Sequence, residues 1–367
     1  MRPGVIAMGY EPLSMCVKKR LGSAAMRLRT ANPSSFMEGM IEDSFVYPAG
    51  DPRYARNALA PGSAPIETLF NTGQPQCLSF NLEPLGPDAS GSDRRDMASR
   101  EMRRLVSGNF GNEALRWFDG ASESQRGLTR SAALNYGAFF GSSFDGGGLQ
   151  SATITYEGGG HMLGDVNPAL ARLVGASMAA LPGLRPIFTT LVAGRDFGSQ
   201  WVTFLLTNAF RLADMQPMLD ELGLGGRLAS LLQVVGVALG GRFDIPSGAA
   251  LVCFGRGPQG VELELQVMLD AIPDVPPNFL QLLTMNLRER PRELGALERF
   301  LEAFTPEDNV WPGRFSILGI RVGAAGPAKV SLYLRPVEFE ITPAASLVPK
   351  GPPMNGRVVG VAVPAGA

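Results

Sequence analysis

Residues 62–87 read GSAPIETLFNTGQPQCLSFNLEPLGP, two runs of alternating character on either side of a turn-rich NTGQP. Alternation with a period of two marks a strand whose two faces meet different surroundings. In the second run Leu78, Phe80 and Leu82 share one face, and Cys77, Ser79, Asn81 and Glu83 share the other. The stretch therefore predicts a hairpin with one apolar and one polar face. Only 18% of the chain is charged, so a strand face carrying a carboxylate asks for a reason.

The same pattern recurs four more times along the 367 residues, at 132–144 with 149–157, 185–194 with 200–207, 248–256 with 260–269, and 314–323 with 328–340. Glycine-rich turns such as DGGG, GRDFG and GRGPQG suit short antiparallel connections. Between the hairpins lie helical patterns at 96–106, 167–181, 210–223, 226–239, 276–289 and 292–304. The expectation is an α+β fold, a ten-stranded antiparallel β-barrel of five α-β-β-α repeats with an outer ring of helices, because closure removes the sheet edges. The barrel should span 46–340, with an N-terminal extension at 1–45 and a Pro- and Gly-rich tail at 341–367.

Helices outside require the apolar strand faces to point outward, such as Val261, Leu263, Leu265 and Val267, or Val330, Leu332 and Leu334. The opposite faces then line a lumen: Glu262, Glu264 and Gln266 on one strand, Lys329, Ser331, Tyr333 and Arg335 on another. The polar face of the opening stretch joins them, and the lumen becomes a cavity for a small molecule. A sandwich with these faces in solvent is the alternative, but a solvated face normally carries more Lys and Glu than Cys, Ser, Thr and Trp.

Composition removes several kinds of function. A net charge of −1 offers no basic field for nucleic acid. The three cysteines, Cys16, Cys77 and Cys253, form no paired framework, which points to a reduced, cytoplasmic setting. The longest apolar run, at 228–241, is too short to span a bilayer. A single histidine, His161, follows YEGGG and reads as a loop residue, so His-based hydrolysis and His/Cys metal sites are not expected. The glycine clusters lack the spacing of phosphate loops. Glu262 and Glu264 lie roughly 7 Å apart on one face, a candidate acid/base pair or a ligand-facing strand end. Trp201, Tyr333 and Tyr156 are candidate aromatic walls.

The chain resembles the aromatic prenyltransferases of the dimethylallyltryptophan synthase type, whose fold is the PT barrel, or ABBA fold. GSAPIETLFN is similar to the family's first-strand motif, LSFNLEPLGP to its second strand, and AKVSLYLRP to its closing strand. The likeness runs from about residue 50 to 340. It implies an aromatic substrate, typically an indole, an allylic diphosphate as co-substrate, and no metal or other cofactor. It also implies that Glu67 is the base: a carboxylate beside an indole N–H stabilises the cation formed on alkylation and takes up the proton.

The same resemblance identifies departures. The family's second-strand arginine falls at Ser79, beside Asn81. The lysine and tyrosine of the second hairpin fall at Thr153 and Thr155. The cation-rich strand of the third falls on Trp201, Thr203 and Leu205, and the fourth offers Glu262, Glu264 and Gln266. Lys329 and Arg335, flanking Ser331 and Tyr333, remain as the expected inward cations. A diphosphate brought into such a lumen without paired cations loses several kcal/mol. Two enzymatic functions follow in natural-product (secondary) metabolism. One is aromatic prenyl transfer with Glu67 as base; the other is a diphosphate-independent cyclisation or rearrangement on the same scaffold. A non-catalytic small-molecule binder is the third reading.

Overall fold

Ten strands close on themselves, and the closing pair is the first with the last. In the computed structural model, which describes residues 11–127, 134–158, 166–195, 198–257 and 260–341, the barrel strands are β1 (Ile66–Asn71), β2 (Leu78–Leu82), β3 (Ala138–Asp145), β4 (Gly148–Glu157), β5 (Leu184–Gly194), β6 (Gly198–Leu206), β9 (Ala250–Gly257), β10 (Gly260–Met268), β11 (Gly313–Gly323) and β12 (Lys329–Pro336). All neighbours are antiparallel and follow chain order, and Thr68 of β1 sits between Phe80 of β2 and Leu334 of β12. This is the barrel of five hairpins that the alternation predicts. A two-residue ribbon, β7 (Phe210–Arg211) with β8 (Asp244–Ile245), forms a separate small sheet.

Outward positions alternate with inward ones along each strand and form two apolar cores under the helices. Leu13, Val17 and Leu21 of α1 (Leu13–Leu28) and Met40 and Ile41 of α2 (Ser34–Ser44) share one core with Phe80, Phe140 and Ile154. Met102, Leu105 and Phe118 of α3 (Gly91–Gly127) complete it. The other core places Phe204, Phe254, Leu265, Ile320 and Leu332 with Val174 of α4 (Pro168–Ala180), Val235 of α6 (Leu228–Ala238), Leu283 of α7 (Phe279–Asn286) and Phe300 of α8 (Pro291–Phe304). Each such side chain contributes about 1.5–3 kcal/mol on burial. A slip of one residue in any strand would turn this set into the lumen, so the core fixes which residues face inward.

Two of the helices read from the sequence differ from their expectation. The helix read at 96–106 runs from Gly91 to Gly127, with a break at Gly111, whose φ of 84° suits glycine. The helix read at 210–223 is instead a strand at Phe210–Arg211, a 3-10 turn at Leu212–Met215 and only then α5 (Gln216–Glu221). Pro217 explains the late start: it lacks the N–H that an interior helical position must donate, and fits only the first turn.

Candidate functional site: the barrel lumen

The strand faces predicted as lumenal are the ones turned away from both cores. Glu67 of β1 lies opposite Asn81 of β2, and Leu69 opposite both Ser79 and Tyr333. Thr155 lies opposite Phe139 and Thr190, and Thr190 opposite Trp201. Thr203 faces Cys253, Cys253 faces Glu264, Glu264 faces Arg321, and Arg321 faces Lys329. Thus Glu67, Ser79, Asn81, Thr153, Thr155, Trp201, Thr203, Glu264, Gln266, Lys329, Ser331 and Tyr333 share one interior. Tyr156 does not; it points outward and meets Ser99 of α3 through its hydroxyl at 3.0 Å. Glu83, past the end of β2, binds Arg94 of α3 at 3.2 Å and the Ala58 N–H at 2.9 Å, and so ties the barrel rim to its surroundings.

From β10 round to β1 the inward polar groups are charged, and they neutralise one another. Glu67 Oε1 accepts from Arg335 Nε at 2.9 Å, and Arg335 Nη1 reaches Asp270 Oδ2 at 3.1 Å, whose other oxygen is held by Arg314 at 2.6 Å. Glu264 Oε2 accepts from Arg321 Nε at 2.8 Å, and Arg321 Nη2 stands in ion-pair contact with the same oxygen at 2.7 Å. Its Oε1 accepts from Gln266 at 2.9 Å, and the same amide nitrogen lies 3.3 Å from the Tyr333 hydroxyl. Lys329 pairs with Glu262 at 3.2 Å. Glu67, Glu262 and Glu264 therefore face Arg335, Lys329 and Arg321 one for one.

Arg314, opposite Arg335, and Arg185, opposite Leu205, are inward cations that the sequence reading missed, and so is Arg321. Arg321 lies on β11 between Gly319 and Gly323, and a β-bulge between Phe315 and Ile317 shifts the register there. Glycines on one face and a bulge upstream obscure the period-two pattern that would have marked it.

Arg321 also belongs to a layered contact. The Trp201 ring lies flat on Gly255, so close that a Cβ there would fall 2.2 Å from a ring atom. The Arg321 guanidinium carbon stands 4.4 Å from the ring centroid, a cation–π distance. The Trp201 N–H donates to Ser199 at 3.2 Å. Gly319 plays a similar part under Glu264, whose Oε1 would be 2.8 Å from an added Cβ.

From β2 to β6 the inward polar groups are short and mostly neutral. Ser79 and Ser143 hydroxyls meet at 2.6 Å, Thr155 and Thr190 at 3.0 Å, and Thr203 donates to Cys253 Sγ at 3.4 Å. At one side of this arc Tyr136 stacks on Phe139 at 5.0 Å, and Phe188 contacts both at 5.7 and 5.8 Å. Phe139 and Phe188 are on the inward face of β3 and β5. The sequence reading did not single out these three aromatics, because Phe139 and Phe140 are adjacent with Gly141 next on the inward face, and a bulge interrupts the alternation of β5 before Phe188.

Burial acts strongly on the lumen's titratable groups. It holds the Tyr333 phenol well above its ordinary range, reinforced by the Glu264 charge, so the hydroxyl stays protonated. It pushes the Cys253 thiol up to about 12, again with help from Glu264. Neither group is an anion at neutral pH. Among the described residues no cluster of three or more His, Cys, Asp or Glu is placed to hold a metal ion, and no helix is long and apolar enough to cross a membrane. His161 lies outside the described residues.

No family model matches the chain, and no curated protein matches it by sequence. Solved structures do match. The chain has the PT-barrel fold of the aromatic prenyltransferases. PriB, in its complex with product diphosphate, is 18% identical with a TM-score of 0.69, over 91% of this chain and 98% of that one. The 6-dimethylallyltryptophan synthase from Micromonospora olivasterospora, in complex with DMASPP and Trp, is 17% identical with a TM-score of 0.68, over 91% and 99%. The 5-dimethylallyltryptophan synthase from Streptomyces coelicolor is 16% identical with a TM-score of 0.67, over 91% and 100%.

Proposed function

We propose that the protein is a PT-barrel enzyme that holds an electron-rich aromatic small molecule in the lumen, with Glu67 as base, and transforms it by cyclisation or rearrangement without using an allylic diphosphate. The one-for-one pairing of Arg321, Lys329 and Arg335 with Glu264, Glu262 and Glu67 carries this reading. A diphosphate brings two to three negative charges against an arc whose three cations already face carboxylates, and each missing charge-assisted hydrogen bond forfeits about 1.5–3 kcal/mol. Glu67 uses Oε1 for Arg335; its Oε2 is the acceptor for a ring N–H, takes up the proton released and returns it to the rearranged skeleton, so that substrate and product are isomers. Solved neighbours include a complex with L-tryptophan and dimethylallyl thiolodiphosphate, which supports an indole as the aromatic class. The three cysteines are free thiols, in keeping with a reduced compartment.

Aromatic prenyl transfer is the second reading, supported by the shared fold and by Lys329, whose side chain is 45% exposed and so the most readily recruited of the three cations. Mass spectrometry on reactions with indole-containing substrates separates the two. A product isomeric with its substrate, formed without added diphosphate, supports the first reading. An alkylated product that requires dimethylallyl diphosphate supports the second. In either case Glu67→Gln should lower turnover about a hundredfold or more; full activity in that variant would remove Glu67 from the chemistry.

A further inference from the structure

We propose that Arg321 is a ligand-contacting residue, its guanidinium plane forming the stacking platform for the aromatic ring, with Trp201 beneath it and Gly255 beneath that. The inference rests on the reading of the lumen as an aromatic-ligand site and names what the site selects: a planar, electron-rich, uncharged ring. Three observations carry it. The guanidinium carbon stands over the Trp201 ring, 4.4 Å from its centroid. The guanidinium edge is fixed by Nε and Nη2 on the same Glu264 oxygen, at 2.8 and 2.7 Å, which sets the orientation of the plane. Arg321 nevertheless keeps 29% of its side-chain surface exposed, whereas Glu264 keeps 4% and Trp201 only 7%. The surface this stack offers is therefore chiefly that of the Arg321 side chain.

A guanidinium held in this way is suited to stacking. It is planar and weakly hydrated, and it attracts the negative face of an electron-rich ring. Because Glu264 already balances its charge, it gains little from binding an anion, which separates this role from diphosphate capture. The Trp201 ring on the far side supports the plane and completes a sandwich of ring, guanidinium and ligand ring.

The test is calorimetric titration of the full chain with 5-methoxyindole and 5-nitroindole, two probes of similar shape and opposite electron demand. The wild type should bind 5-methoxyindole about three- to tenfold more tightly. The double variant Arg321→Met/Glu264→Gln, which avoids leaving a buried carboxylate unpaired, should bring that ratio close to one. Arg321→Lys, which keeps the charge and loses the plane, should fall between. A ratio unchanged in both variants would overturn the platform while leaving the aromatic site standing. Failure of both probes to bind the wild type would overturn the aromatic-site reading and the platform with it. Either variant can be checked for folding by circular dichroism, and the Lys variant keeps the test decisive if the double variant does not fold.

Discussion

Between β2 and β6 the lumen is walled by short hydroxyls that pair with one another, as Ser79 does with Ser143 and Thr155 with Thr190. Between β10 and β1 it is walled by long charged side chains that pair carboxylate to cation. Both arcs satisfy their polar groups, but at different stakes. A neutral hydroxyl that loses its partner can turn toward another acceptor or toward water. A buried carboxylate that loses its cation has no such escape, since desolvation penalises the charge itself. The charged arc is thus rigidly specified, and its cations are committed before any ligand arrives.

The largest effect should come from breaking the charged arc where it is most buried. Arg335→Ala strands Glu67 and leaves Asp270 with Arg314 alone, and should cost about 3–5 kcal/mol in chemical denaturation. A loss under about 1 kcal/mol would mean that the pair is replaced by water and that the arc is not the closed network described.

Alkaline pH should bring a second, graded loss. Burial pushes Cys253, Tyr54 and Tyr156 up to about 12 from ordinary values of 9.0 and 10.0. Between these limits the folded state binds more protons than the unfolded one, so stability falls as pH rises. The contribution is fully present below about pH 9 and is lost progressively toward pH 12. Melting temperatures measured from pH 8 to 11 should decline throughout the upper part of that range; a flat profile would contradict the burial of these groups.

The neutral arc should be the most forgiving. Thr155→Val removes one hydroxyl from the Thr155–Thr190 pair and should cost about 1 kcal/mol. Comparing its denaturation midpoint with that of Arg335→Ala measures the asymmetry between the arcs directly, and equal losses would erase it.

Much of this was legible in the sequence, and the reason is physical. Where β2, β10 and β12 alternate cleanly, period two decides which residues face inward, and Ser79, Glu264 and Tyr333 could be placed from the pattern, while Thr153 and Trp201 were reached through the resemblance. The pattern fails where a strand carries glycine or a bulge. Arg321 lies between two glycines beyond the bulge at Phe315, Phe188 follows a bulge on its own strand, and Phe139 sits beside a second phenylalanine two residues before Gly141. Pairing was not legible at all. Which carboxylate meets which cation depends on cross-strand register, and a single bulged residue shifts it. The continuation of α3 past Gly111 was hidden for a related reason, since a glycine with positive φ reads as a stop while packing carries the helix on.

The central claim is that the cations of the arc from β10 to β1 are already committed to carboxylates. It is tested most directly by titration calorimetry with dimethylallyl S-thiolodiphosphate, which cannot readily ionise during the measurement. With Arg321, Lys329 and Arg335 held by Glu264, Glu262 and Glu67, binding should be no tighter than about 1 mM, near −4 kcal/mol. Saturation at micromolar concentrations would show that the ion pairs open to receive a diphosphate, and would restore aromatic prenyl transfer as the protein's reaction.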